Sequence, residues 1–299
     1  KVCSMGNSAN ENSIVRYGKE NVGGLDIFYR EAGSPSNPAV VLLHGFPTSS
    51  HMYREVLRSL GDKYYLVAPD YPGFGDSDYP PPGEFKYTFD NIALVVNAFL
   101  EKKGIGKYSL MMQDYGAPVG FRIASRHPGR VRSLVVQNGN AYEEGFNPES
   151  WQPIFEYWNE RKPELEQALV SGLLSLEGIR FQYTHGTRNP AGISPDNWNL
   201  DFMNMSRPGQ DRVQLDLFYD YRNNLARYPE WQKYIRGNQP PVLITWGKND
   251  PFFPEPGAEA YKRDARNIDY NILDTGHFAL EEDHSFITSR MREFLNDAA

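Results

Sequence analysis

Short apolar runs recur along this chain, and each run ends in a polar residue or a glycine. Successive residues within a run are apolar, rather than every second one, so both faces of each strand are expected to be covered, as in a parallel sheet. Two more strands are predicted on either side of a turn at Gly23-Gly24. The apolar strands are predicted at residues 39–45, 64–70, 107–114, 131–139, 241–250 and 268–277.

Helical periodicity occupies the intervals between most of these strands. This alternation predicts an α/β fold, with a mostly parallel, eight-stranded sheet and helices on both of its faces. The predicted helices span residues 50–60, 88–103, 116–127, 256–265 and 283–297.

The interval from Asn140 to Gln239 breaks the alternation, because it contains amphipathic helical patterns but no convincing strand. We interpret it as a helical cap inserted after the sixth strand. The chain then divides into an α/β core, residues 1–140 and 238–299, and a cap, residues 141–237. A separate helical domain elsewhere is the alternative interpretation.

Composition narrows the classes of function. Apolar residues make up 40% of the 299, so a packed core is expected, and 31 basic against 38 acidic side chains leave a net charge of −7. That balance offers no basic stripe for nucleic acid or a membrane surface. The single cysteine, Cys3, excludes an internal disulfide and a cysteine-based zinc site. No apolar run reaches membrane-spanning length. A cytoplasmic protein is expected, and a removed leader stays open because the chain starts at Lys1.

The ends of the predicted strands carry the candidate chemistry, since ligands of open α/β sheets bind beyond the carboxyl ends of the strands. Three such residues are Asp114, Asp250 and His277. Asp114 stands between an apolar strand and Gly116-Ala117, small residues that allow a sharp strand-to-helix turn to close. Taken singly, each of the three could be a capping or turn residue. Together they follow the order nucleophile, acid, histidine of the α/β-hydrolase triad.

Five stretches in the same order carry a family resemblance over nearly the whole chain. On them the protein is identified as a member of the α/β-hydrolase superfamily, similar to its epoxide hydrolase and dehalogenase branch. Met112, two residues before Asp114, is larger than the residue that the family often has there, so a crowded turn is expected. The five stretches are HGFPTSS, DYPGFGDSD, QDYGAPVGF, WGKNDPFFP and LDTGHFALEE.

The resemblance implies a covalent mechanism without cofactor or metal. Asp114 would attack an sp³ carbon and form an alkyl-enzyme ester. His277 would activate the water that hydrolyses this ester, and Asp250 would orient the imidazole. The backbone N–H groups of Phe46 and Tyr115 would form the oxyanion hole.

The cap residues bear on the choice of substrate. Epoxide hydrolases use two cap tyrosines, and YDYRNN and FEYWNE resemble their motifs, which implies Tyr221 and Tyr157 as oxygen-binding donors. Phe218 and Trp158 are expected to contact the substrate. Trp158 also leaves a haloacetate dehalogenase open, because those enzymes use an indole donor nearby.

Departures at three positions argue against the dehalogenases of this branch. Haloalkane dehalogenases typically have Asn and Trp where this chain has Phe46 and Tyr115, and haloacetate dehalogenases have arginines where it has Tyr115 and Pro118. We therefore expect hydrolysis of a small apolar epoxide to a vicinal diol, with water as the co-substrate. A dehalogenase with the same nucleophile, or a non-catalytic binding protein on this fold, is the alternative. The oligomeric state stays open.

Overall fold

The computed structural model describes residues 14–298, so Cys3 and the polar start of the chain lie outside the described residues. The two predicted N-terminal strands form a hairpin, β1 (Arg16–Val22) and β2 (Leu25–Ala32). Gly23 and Gly24 make its turn with φ of 61° and 91°, a region that glycine adopts without steric cost.

The apolar runs form the rest of one eight-stranded sheet, in the order β1-β2-β4-β3-β5-β6-β7-β8. Only the β1–β2 and β2–β4 pairs are antiparallel. Every residue of β4, β5 and β7 is buried, as expected for strands covered on both faces. The prediction of a mostly parallel α/β sheet is confirmed. The six strands are β3 (Ala39–Leu43), β4 (Tyr65–Pro69), β5 (Tyr108–Gln113), β6 (Val131–Gln137), β7 (Val242–Gly247) and β8 (Ile268–Leu273).

Helices pack against the sheet in two groups, α1 with α11 and α2 with α3. The predicted spans are close to those observed, and the start of α2 shows why. Thr88 accepts a hydrogen bond from the N–H of Asn91 at 3.1 Å, which satisfies a free donor of the first turn. The helices of the core are α1 (Arg54–Leu60), α2 (Phe89–Lys102), α3 (Gly116–Arg126), α10 (Pro256–Glu259) and α11 (Ala279–Asp297).

The last helix begins earlier than its predicted start at residue 283. Asp283 has non-helical angles, φ −114° and ψ 20°, and a further helical turn precedes it from Ala279. Glu282 lies in that turn and accepts hydrogen bonds from Thr275 and from the backbone N–H of Asn189. These tertiary contacts hold a turn that local periodicity does not reveal.

Between β6 and β7 the chain contains helices and, among the described residues, no strand. Helices α6 and α7 were not separately predicted. The last helix of this interval, α9 (Arg222–Asn238), ends one residue past the predicted cap boundary at 237 and packs against α3. We call residues 148–238 the helical insertion; the division into core and cap domains stays a prediction. Its helices are α4 (Pro148–Asn159), α5 (Pro163–Leu169), α6 (Leu176–Thr184), α7 (Pro195–Met205), α8 (Gln210–Asp220) and α9 (Arg222–Asn238).

The buried hydroxyl of Tyr183 links the insertion to the core. The hydroxyl of Tyr183, on α6, donates to Asp201, on α7, at 2.5 Å and also lies 3.3 Å from the Thr48 hydroxyl of the core. Burial raises the pKa of Asp201 to about 8, so this carboxyl is mostly protonated at neutral pH.

Candidate active site

The turn between β5 and α3 carries Asp114 at its apex. Asp114 has a φ of 52°, a left-handed conformation that costs energy for a residue with a side chain. Gly116 lets the turn close, because a Cβ atom there would lie 2.1 Å from the carbonyl oxygen of Leu43. The predicted small residues therefore follow from close backbone packing at a strained turn.

Two more glycines make room around this turn. A Cβ atom on Gly45 would lie 2.3 Å from Cβ of Asp114, so the loop after β3 can approach the apex only without a side chain at this position. A Cβ atom on Gly120 would lie 2.3 Å from the sulfur of Met112. The crowding expected from Met112 is thus accommodated by the missing side chain of Gly120.

The carboxylate of Asp114 is held by one oxygen. Oδ1 accepts hydrogen bonds from the backbone N–H groups of Phe46 at 2.7 Å and Tyr115 at 2.6 Å. Oδ2 lies 3.6 Å from Nε2 of His277. Burial raises the pKa of Asp114 to about 6, while the charge of His277 and the two N–H donors oppose that rise. The carboxyl is therefore mostly ionised at neutral pH.

His277 and Asp250 form a close buried pair. Nδ1 of His277 lies 2.6 Å from Oδ2 of Asp250, and the two residues are 1% and 4% exposed. Burial lowers the pKa of His277, but the negative charges of Asp250 and Asp114 outweigh it, so the pKa is raised overall. The structure thus brings together all three residues that the strand ends single out.

Asn138 is a supporting residue to which the sequence assigned no role, although it follows strand β6. Its amide nitrogen donates to Oδ2 of Asp250 at 2.8 Å, and its carbonyl oxygen accepts from the N–H of Gly247 at 2.9 Å. The N–H of Phe252 donates to the other oxygen of Asp250, also at 2.8 Å. These contacts orient the carboxylate toward His277. The sequence offered one indication of this role: an amide side chain at the end of β6, the strand between those that precede Asp114 and Asp250.

A small cavity lies above Asp114, with a free volume of about 40 Å³. That space is enough for only a few water molecules. The lining is mostly aromatic and aliphatic, and the polar side chains include those of Ser150 and Gln182, which sequence analysis did not identify. The lining residues are Phe46, Asp114, Tyr115, Ser150, Trp151, Ile154, Leu173, Gln182, Phe218, Tyr221, Phe252 and Phe253.

Two of the predicted cap residues, Tyr221 and Phe218, line this cavity. The ring of Tyr221 packs on Trp151, with 4.9 Å between ring centres, and lies 6.1 Å from the ring of Tyr115. Its hydroxyl is buried and lies beside the hydroxyl of Tyr228. Burial raises the pKa of Tyr221 well above its ordinary value, so the hydroxyl keeps its proton.

Tyr157 and Trp158 are placed differently from the expectation, because neither lines the cavity. The Tyr157 hydroxyl donates to Glu166 at 2.8 Å and accepts from Arg161 at 2.8 Å, within an ion-pair cluster of the insertion. The indole N–H of Trp158 donates to the carbonyl of Phe218 at 2.7 Å. Packing within the insertion turns both polar groups toward protein partners.

His44 and Asp70 support the loop that carries Phe46. The ring of His44 stacks on Tyr71 with 4.0 Å between centres, and burial lowers its pKa to about 3, so it stays neutral. Asp70 accepts from the backbone N–H groups of Ser50 at 2.7 Å and Asp76 at 2.9 Å. Both side chains stabilise the backbone of the loops around the site.

Residues 14–298 contain no group of three or more His, Cys, Asp or Glu side chains arranged to hold a metal ion. Within the same range, no helix combines the length and the apolar character needed to cross a membrane.

The family model for the alpha/beta hydrolase fold matches residues 38–284. The chain therefore belongs to the α/β-hydrolase fold family, and the resemblance inferred from its motifs is confirmed. It is 41% identical over 273 residues to the uncharacterized hydrolase YNR064C of Saccharomyces cerevisiae, a match that covers 90% of this chain and 93% of the relative. The protein is accordingly a hydrolase of this family, acting with water on a small molecule.

Two further similarities fall within the branch that the motifs indicate. A haloalkane dehalogenase of Bradyrhizobium diazoefficiens is 38% identical over 112 residues, which is 38% of this chain and 35% of the relative. The solved structure of the epoxide hydrolase CorEH superposes with a TM-score of 0.79 at 20% identity, covering 96% of this chain and 100% of that one. At that identity the second match concerns the fold.

Proposed function

We propose that the protein hydrolyses an epoxide to a vicinal diol through a covalent ester on Asp114. One observation carries the proposal: a buried carboxylate with one oxygen held by two N–H groups has its other oxygen 3.6 Å from a histidine, which is itself 2.6 Å from a second carboxylate. A plain binding site has no use for a histidine oriented by an acid in this way.

In the first step, Oδ2 of Asp114 attacks an epoxide carbon and the C–O bond of the ring opens. The hydrogen bonds to Oδ1 orient the carboxylate, and the nucleophile must be ionised, which its pKa of about 6 permits at neutral pH. The product of this step is an ester, and the negative charge moves to the former epoxide oxygen.

That oxygen needs a proton donor. The Tyr221 side chain suits this role, because the residue lines the cavity and its hydroxyl, which lies beside that of Tyr228, keeps its proton. Tyr157, the second donor implied by the family, is engaged by Glu166 and Arg161. The proposal therefore rests on Tyr221, with the Gln182 amide as a second polar group of the cavity.

In the second step, His277 takes a proton from water as the water oxygen bonds to Cγ of Asp114. Formation of the ester has removed the charge of Asp114, one of the two charges that raise the pKa of His277. Loss of that charge lowers the pKa of His277, so more of the imidazole is in the neutral form, which is the form that can accept a proton from water. The oxyanion develops on Oδ1, where the N–H groups of Phe46 and Tyr115 already point. The bond between Cγ and Oδ2 then breaks, and His277 gives its proton to the departing alkoxide, which becomes the second hydroxyl of the diol. The other proton of the water, left on the Asp114 carboxyl, passes to the Tyr221 phenolate, so both side chains return to their starting forms.

Cleavage of a carbon–halogen bond is the second candidate, favoured by the haloalkane dehalogenase similarity over part of the chain. A departing halide needs N–H donors in an apolar pocket. The indole N–H groups of Trp151 and Trp158 both donate to backbone carbonyls, at 3.1 and 2.7 Å. This engagement supports the epoxide. Diol formation from small epoxides, measured beside halide release from matched haloalkanes, separates the two.

Single turnover in heavy-oxygen water tests the covalent route. We expect one labelled oxygen in the carboxylate of Asp114 and none in the first equivalent of diol, because water attacks the ester carbonyl. Mass spectrometry of the peptide that contains Asp114 provides the measurement. Label in the first diol, with an unlabelled peptide, would mean that water attacks the epoxide directly.

Replacing Tyr221 by Phe should slow ester formation roughly 10- to 100-fold, the effect of losing one hydrogen bond to a developing charge. Tyr157→Phe is the matched control, because it removes a hydroxyl that faces Glu166 and not the cavity. Single-turnover rates of ester formation provide the comparison. Equal slowing in both variants, or in neither, would remove Tyr221 from the site.

A further inference from the structure

Gln113 lies directly before the proposed nucleophile and touches the proposed base. It is the last residue of β5 and is 0% exposed. Its amide nitrogen lies 3.0 Å from Nε2 of His277 and 3.4 Å from the backbone carbonyl oxygen of His277. The proposed mechanism gives this side chain no role, yet it lies against the nitrogen that would take a proton from water.

The surrounding contacts determine which atoms donate. Nδ1 of His277 faces the carboxylate of Asp250 at 2.6 Å, which accepts only, so Nδ1 carries a proton. In the neutral ring Nε2 then has a free lone pair. A carbonyl oxygen also accepts only, so the Gln113 atom facing the His277 carbonyl is the NH₂ group. The contact at Nε2 is therefore an N–H···N hydrogen bond from Gln113.

This bond exists only while the ring is neutral, since an imidazolium would direct an N–H group at the NH₂ group. The ionisable groups that face the ring are Asp250, beyond β7, and Asp114, beyond β5, and both favour the charged ring. The other neighbours with ring contacts are Phe252, Phe253 and Phe278, which carry no charge. The hydrogen bond from Gln113 thus favours the neutral ring of His277, whereas the two carboxylates favour the protonated ring.

We propose that Gln113 is a positioning residue that holds the His277 ring through Nε2 and favours its neutral form. The consequence for catalysis rests on the proposed function: a base beside two carboxylates must stay unprotonated until the ester has formed. When a water molecule replaces Gln113 as the hydrogen-bond donor to Nε2, the Gln113 amide keeps its contact with the backbone carbonyl of His277. Its own carbonyl oxygen, which has no partner among the described residues, is then free to accept from that water.

The first test uses the free, substrate-less protein. Gln113→Met keeps the size of the side chain and removes the donor, so the pKa of His277 should rise by roughly 0.5 to 1 unit, the contribution of one hydrogen bond. Gln137→Met is the matched control. Gln137 lies on β6, where it pairs in register with Gln113 of β5, and it is also 0% exposed. NMR titration of the imidazole measures both. An unchanged or lowered pKa in Gln113→Met, or the same rise in Gln137→Met, overturns the proposal.

A second measurement needs no variant, so a misfolded Gln113→Met leaves the question answerable. In the wild-type protein, a through-bond ¹⁵N–¹⁵N coupling between the Gln113 amide and Nε2 of His277 is expected above the pKa of the ring. A protonated Nε2 without this coupling, at a pH where the ring is neutral, contradicts the proposal. Neither experiment uses turnover, so the proposal for Gln113 can be wrong while the ester mechanism is right, and the ester mechanism can be wrong while the proposal for Gln113 is right.

Discussion

Replacing His277 by Gln should convert the enzyme into a trap for its own intermediate. Asp114 still attacks, so each molecule takes up one substrate, but the ester lacks the base that activates water. Loss of a general base typically costs about 10²–10⁴-fold, and steady-state turnover should fall by that factor. Intact-protein mass spectrometry should show an added mass equal to that of the epoxide, located on the peptide containing Asp114.

The pH of this experiment matters. The charge of His277 lowers the pKa of Asp114, so its removal raises that pKa, and adduct formation should be followed near pH 8. His284→Gln is the control, because His284 lies on α11 and the imidazole that contacts Asp114 and Asp250 is that of His277; this variant should turn over normally without adduct. If His277→Gln gives no adduct with a substrate that the wild type converts, the assigned role is wrong.

Replacing Asp114 by Asn should abolish turnover, with a loss of at least about 10⁴-fold, because an amide cannot displace the epoxide oxygen and no ester forms. Asparagine tolerates the left-handed backbone at this position, and its carbonyl oxygen can still accept from Phe46 and Tyr115. The protein should therefore fold, take up no label from heavy-oxygen water and form no adduct in combination with His277→Gln.

The same substitution should not reduce stability at pH 8. The folded-state pKa of Asp114, about 6, lies above its ordinary value of 3.8. Its contribution to stability is therefore fully present below about pH 4 and is lost as the pH rises through 6. A neutral amide avoids that loss, which amounts to roughly 3 kcal/mol at most. Thermal unfolding of both proteins at pH 5 and pH 8 checks this. Residual turnover, or unfolding of the variant at pH 8, would contradict the role of a strained and buried nucleophile.

The positions of the strands, their mostly parallel arrangement and the edge of the sheet at which the candidate triad lies could be predicted from the sequence. Continuous apolar runs indicate buried parallel strands, and parallel strands bring their carboxyl ends to one edge of the sheet. Asp114, Asp250 and His277 therefore meet although up to 163 residues separate them along the chain. Gly45 and Gly116 are explained by the same geometry, since backbone and carboxylate approach within distances that exclude a Cβ atom.

Only the tertiary structure decided which side chains face the reaction. Tyr157 lies in α4 and Tyr221 at the junction of α8 and α9, both in stretches with an amphipathic helical pattern. The first nevertheless bonds to Glu166 and Arg161, and the second lines the cavity. The contacts of Gln113 with His277, and of Asn138 with Asp250, likewise join residues more than a hundred positions apart. Periodicity determines the buried face of a helix or strand, but the partner of each polar atom depends on neighbours that folding brings in from elsewhere in the chain.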